Sequence, residues 1–210
     1  MNIYFIANLL GFVAGFFGVV MTIFQAQKIY KSHDISGVSI DTWIVVNLTT
    51  ITWFSFGILF NDLAQVISNI GAFLVSAFII FMIVYRAPEL KKYMLIIFIP
   101  LIYGFMFFMT AKFVGINNSL NIYAISLAIL IGLPQLLKAW KISINGISVA
   151  SWITVIVYSL LWIIHAVILK EPLVIAASII NIFFAVGILC IIFIKTRKLN
   201  YIDSSINITN

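Results

Sequence analysis

Trp53, Trp162, Asn69, Ser178 and Asn181 are residues of the types that hold a small polar solute. An indole face stacks on a sugar ring or an organic cation, and a carboxamide offers both donors and an acceptor. Their spacing makes them a candidate set. Trp53 and Asn69 each stand eight positions from Asn61, and Trp162 and Ser178 each stand eight positions from Lys170. If the chain reverses at Asn61-Asp62 and at Lys170-Glu171, helices on either side run antiparallel, and residues equidistant from the turn share a depth. At about 1.5 Å per residue, these residues lie roughly 10–12 Å inside a hydrocarbon core. Asn181 follows Ser178 by three residues, so it shares that face one turn deeper. Either one could be the second polar contact. Simple packing is the competing role for both tryptophans. Asn47, Thr49, Thr50 and Ser159 add polar lining or bond across helices.

Two titratable residues are candidates for proton coupling. Asp41 follows Ser39 by two residues at a helix start, where the helix dipole favours a carboxylate, so electrostatic capping competes with proton transfer. His165 lies within an apolar run, where a histidine either carries a proton or bonds a neighbour. No Walker motif, dinucleotide fingerprint, catalytic carboxylate pair or metal-ligand cluster occurs, so neither an enzyme nor a bound cofactor or metal is expected.

Lipid is the solvent for such residues. The 210-residue chain is 64% apolar and 9% charged, with a mean hydropathy of +1.20. Uncharged runs cover 1–27, 42–61, 63–85, 93–111, 113–137, 142–169 and 172–194. Each suffices for a spanning helix, which takes roughly 20 residues, and none alternates as a barrel strand does. Seven spans place ten basic residues on the side of the carboxyl terminus and only Lys112 and Lys170 on the other. The positive-inside rule then puts the carboxyl terminus in the cytoplasm and the amino terminus outside. That distribution accounts for the net charge of +6 without nucleic acid. The first run has no basic n-region and reads as a retained helix. Cys190, the only cysteine, reads as a buried structural thiol, and Tyr30, Trp43, Tyr85, Tyr93, Trp140 and Trp152 as an interfacial aromatic belt.

The chain also repeats itself. Phe24-Gln25-Ala26-Gln27-Lys28-Ile29-Tyr30-Lys31 returns as Pro134-Gln135-Leu136-Leu137-Lys138-Ala139-Trp140-Lys141. One residue fewer in the second loop then brings Gly37-Val38-Ser39 onto Gly146-Ile147-Ser148, Trp43 onto Trp152 and Trp53 onto Trp162. Helices 1–3 and 5–7 are the copies, and helix 4 stands between them. An odd number of intervening spans makes the copies parallel, related by an axis along the membrane normal. The expected fold is therefore an all-α integral membrane protein of seven transmembrane helices in a 3+1+3 plan. The first repeat covers 1–86, the linker helix 87–114, the second repeat 115–197 and a polar cytoplasmic tail 198–210. Pro134 removes a helical hydrogen bond and marks a hinge or a static kink, and Ser39 and Ser148 read as N-caps.

Pro134-Gln135 followed by Lys138, Lys141, Gly146 and Ser148 resembles the PQ-loop motif of the PQ-loop/MtN3/SWEET superfamily, over essentially the whole chain. The first copy, with Gln25 and Gly37, has Phe24 in place of the proline. The resemblance implies a seven-helix transporter in which a Trp and an Asn from each repeat contact a sugar, which lands on Trp53, Asn69 and Trp162 with Ser178 or Asn181. Gly37-Val38-Ser39-Ile40-Asp41 is similar to the first PQ-loop of cystinosin-like exporters, which implies proton coupling through Asp41. The expectation is a membrane transporter moving a small polar solute, a sugar before an amino acid, by alternating access of two three-helix bundles. A proton-coupled amino acid exporter and a non-transporting PQ-loop receptor or scaffold are the alternatives. Membrane lipid is the other expected partner, with a homo-oligomer left open.

Overall fold

A computed structural model describes residues 3–32, 34–86 and 99–208. All regular structure among them is helical: α1 (Ile3–Lys31), α2 (Ile40–Phe60), α3 (Leu63–Arg86), α4 (Ile99–Val114), α5 (Ile116–Lys141), α6 (Val149–Leu169) and α7 (Pro172–Ile208). Six of them, all but α4, are long and apolar enough to cross a membrane. The start of the expected linker helix, with Glu89, Lys91, Lys92 and Tyr93, lies outside the described residues. Residues 198–208 continue α7.

The helix ends follow from a few side chains. Ser39 and Ser148 cap α2 and α6 in extended backbone, each hydroxyl accepting the N–H three residues on, from Thr42 at 3.3 Å and Ser151 at 3.1 Å. At the other ends Asn61 (φ 56°) and Lys170 (φ 61°) adopt the left-handed conformation. Asp62 and Glu171 then donate their N–H to Gly57 and Ala166, both at 2.8 Å, closing the two helices by the same terminal motif. Arg86, ending α3, donates to the carbonyls of Ile29, Tyr30 and Ser32, which supplies donors and positive charge to the carboxyl end of α1.

The helices pack in a ring. α1 lies against α3 and α6, α2 against α3 and α5, and α7 against α5 and α6, so the order around the ring is α1, α3, α2, α5, α7, α6. α4 lies outside it, against α5. Exchanging α1, α2 and α3 for α5, α6 and α7 leaves these six interfaces unchanged. The two larger buried clusters also match: Val38, Trp43, Val46 and Ile79 in one, Ile147, Trp152, Val155 and Ile188 in the other.

Polarity is arranged inside out relative to a water-soluble bundle. Phe16, Leu74, Phe81, Phe108, Leu160 and Phe183 face outward, while Thr22, Gln25, Ser76, Gln135, Ser159 and His165 are buried. Lipid accepts the apolar exterior, and the polar interior is held by interhelical hydrogen bonds. One of these is Asn47, whose amide donates to Phe73 O at 3.3 Å and Ser76 Oγ at 3.0 Å, tying α2 to α3. Cys190 is exposed on the outer face of α7 and is not the buried thiol expected. Hydrocarbon is as hospitable to an uncharged thiol as a protein core, so burial among protein atoms was not required of it.

Candidate solute-binding cavity

The ring encloses a cavity of about 140 Å³ to which all six of its helices contribute. At about 30 Å³ for each water of the liquid, this is space for roughly five waters, and a cavity of about 150 Å³ is known to accept a molecule the size of benzene. Trp53, Asn69, Trp162, Ser178 and Asn181 all line it. The register explains why. An offset of 109 carries the lining residues Trp43, Val46, Thr49 and Trp53 of α2 onto Trp152, Val155, Tyr158 and Trp162 of α6. The same offset carries Asn69 onto Ser178 and Ala72 onto Asn181, and all four line the cavity. Each helix pair presents the same face to the centre.

None of the described lining residues is charged, and beside the indoles stand hydroxyls and amides: Thr22, Thr49, Thr50, Ser68, Gln65 and Asn69. Asn69 donates to Gln65 O at 2.7 Å and to Gln65 Oε1 at 3.1 Å, which ties its amide to the preceding turn of α3. Of the secondary polar candidates, Thr49 and Thr50 line the cavity while bonding carbonyls of their own helix. Asn47 makes the α2–α3 tie instead, and Ser159 is fully buried away from the lining.

Trp43 and Trp152 require a correction. They are 4% and 8% exposed and line the cavity, so they do not belong to an interfacial belt. Tyr30, Tyr85 and Trp140 are exposed as such a belt requires, and Tyr93 lies outside the described residues. Counting residues along a helix does not give the direction a side chain faces. The signal available was the repeat itself, since Trp43 and Trp152 recur in register just as Trp53 and Trp162 do.

At one end, the loop end, the two motif glutamines close the ring. Gln25 donates to Gly146 O at 2.8 Å and accepts the N–H of Ser148 at 2.9 Å. Gln135 donates to Gly37 O at 2.7 Å and accepts the N–H of Ser39 at 3.0 Å. Each glutamine thus saturates two backbone groups in the loop of the opposite half, and both are buried. Lys138 adds a 2.6 Å bond to Val38 O, and Asn145 donates to Asp34 Oδ2 at 2.6 Å. Asp34 lies on the exposed loop surface, and the Ser36 backbone N–H, with the Asn145 amide, holds its carboxyl below the ordinary aspartate range.

The glycines of these loops serve two different needs. Gly146 has φ +78°, a conformation that disfavours any side chain, whereas Gly37 has the Ser143 carbonyl 2.5 Å from where a Cβ would stand. Gly37→Ala should therefore push the loops apart, lowering the melting temperature by several degrees for a loss of about 1–3 kcal/mol. A thermal melt of the purified variant matching the wild type would show that the loops are not held this closely.

Of the remaining candidates, Pro134 sits inside α5, which continues through it, and Phe24 is half-buried at the equivalent place in α1. Asp41 is exposed in the first turn of α2 and is not part of the lining. His165 is fully buried at the opposite end, the turn end, with its ring edge-on to Trp162 at 5.0 Å between centroids. Its Nδ1 bonds Ala7 O on α1 at 2.7 Å, and its Nε2 stands 3.7 Å from Asp62 Oδ2. Among the described residues no group of three metal-ligating side chains occurs. No protein-family model matches the chain, and no curated protein matches it either.

Proposed function

We propose that the protein is a transporter of a small, neutral polar solute, a sugar before an amino acid, working by alternating access of two parallel three-helix repeats joined by α4. The observation that carries this reading is one cavity lined symmetrically by Trp53 and Trp162, Asn69 and Ser178, and Asn181, without a charged lining side chain. Stacking on the indoles and hydrogen bonding to the amides and hydroxyls would hold hydroxyl-rich solutes. A zwitterion in so apolar a site would need charged partners, which disfavours the amino acid exporter. A receptor site for a peptide carboxylate would need basic residues in the same place, which disfavours that alternative too. The PQ-loop resemblance agrees with the reciprocal glutamine contacts but does not rest on any matched family.

Alternating access requires that the halves part at one end while meeting at the other. The glutamine contacts at the loop end and the His165 contacts at the turn end are the natural closures. In proteoliposomes, exchange of radiolabelled neutral sugars should saturate, while zwitterionic amino acids should give no flux above protein-free vesicles. The reverse ranking would favour the exporter, and no flux of either class from folded protein would favour the scaffold. The loop end should face the cytoplasm. With Cys190→Ser as background, Asn117→Cys should react with an impermeant thiol reagent from outside and Ser205→Cys only after permeabilisation. Reaction of both from one side would overturn the seven-span topology.

A further inference from the structure

The turn end holds buried acceptors that lack a proton. Asp62 uses its Oδ1 to accept the N–H groups of Ala64 at 3.0 Å and Gln65 at 3.2 Å, capping the start of α3. Its Oδ2 is left over, buried and without a hydrogen-bond partner among the described residues. The Nδ1 of His165 faces a carbonyl, so it must carry a hydrogen, and in the neutral ring that leaves Nε2 as an acceptor. Nε2 is likewise buried without a partner, 3.7 Å from Asp62 Oδ2. The third such atom is Oε2 of Glu171, in the α6–α7 turn and near enough to feel the charge of both. Burial pushes the Glu171 carboxyl above its ordinary range; His165 opposes this and Asp62 adds to it. Left so, Nε2 and Oδ2 confront each other as two acceptors; one added proton on Nε2 turns it into a donor facing the Asp62 carboxylate.

We infer that His165 and Asp62 form a single proton-binding site shared between the two halves of the ring, and that the proton it takes holds the turn end of the cavity closed. The parts belong to different halves. Asp62, in the α2–α3 turn, and the Ala7 carbonyl on α1 come from the first, and His165 comes from the second. Around the ring, α1 contributes the Ala7 carbonyl, a close approach by Gly11 and, among the described residues at this end, no titratable side chain; the α2–α3 turn contributes Asp62, and Glu171 follows in the α6–α7 turn. The repeat makes the site one-sided, because the position equivalent to His165 is Phe56, which packs on Trp53 as His165 packs on Trp162. That ring contact sets His165 directly behind Trp162 of the cavity wall. The sign follows from charge: protonated His165 attracts the Asp62 carboxylate and draws the halves together, and loss of the proton as pH rises leaves acceptor against acceptor and loosens that end. The transporter reading enters only in what this closure would gate, since the site itself concerns a proton and a distance.

Spin labels at Leu63→Cys and Val167→Cys, both outward-facing residues beside the two turns, read that distance in Cys190→Ser protein in lipid nanodiscs. Between about pH 5 and pH 8, the span over which a histidine titrates, the ratio of short to long separations should fall several-fold. His165→Gln should make it independent of pH. Asp62→Asn, which keeps the cap oxygen but not the charge, should weaken the change and covers the case in which the first variant does not fold. A wild-type ratio that does not move with pH, or one that still moves in either folded variant as in wild type, overturns the proposal. Solute flux in the same preparations separates the two claims: flux without the pH-dependent distance sinks the proton site alone, and the distance change without flux of any solute sinks the transporter reading alone.

Discussion

Replacing both Gln25 and Gln135 with alanine should leave little folded protein, and each single replacement should cost about 1–3 kcal/mol. Either substitution strands two buried backbone groups, a glycine carbonyl and a serine N–H, in the loop of the opposite half. Alanine can satisfy neither group, and water reaches a buried loop poorly. The two losses should exceed additivity, because the loops of both halves meet each other directly through the Gly37 N–H to Asn145 O bond at 3.1 Å. Thermal melts of the single and double variants in detergent would measure this. Single variants that melt like the wild type would mean that the paired glutamines do not hold the loop end.

The second large effect belongs to the indoles. Trp53→Ala should weaken solute binding by about 1–3 kcal/mol, a loss of roughly fivefold to a hundredfold, if stacking on sugars resembles stacking on bases. Trp162→Ala should do the same and also lower stability, since Trp162 is packed with Ala14, Ala166 and Val174, whereas Trp53 is only half-buried. That difference lets affinity and stability be separated in one pair of variants. Unchanged solute affinity in Trp53→Ala, with the protein folded, would remove the stacking role.

How far the sequence could be read is clear from these same residues. The reversals at Asn61-Asp62 and Lys170-Glu171 and the serine caps were legible, because each depends on near neighbours. What a side chain faces was not. These helices are apolar on nearly every side, so there is no polar stripe to tell centre from lipid, and Trp43 and Trp152 were assigned by depth alone. The contacts from Gln25 to Gly146 and from Gln135 to Gly37 span the whole fold and follow from how the halves meet, not from any local pattern. Asp62 looked like an ordinary turn residue, and only the tertiary fold brings His165 within 3.7 Å of it.

The central claim is that a solute passes through the cavity between the two halves. Asn181→Cys, made with Cys190→Ser so that it is the only thiol, places a reactive group on the cavity wall. In proteoliposomes carrying this variant, a small hydrophilic thiol reagent should abolish exchange of a transported sugar, and saturating sugar should slow the modification. Complete modification of Asn181→Cys with exchange unchanged would contradict the account.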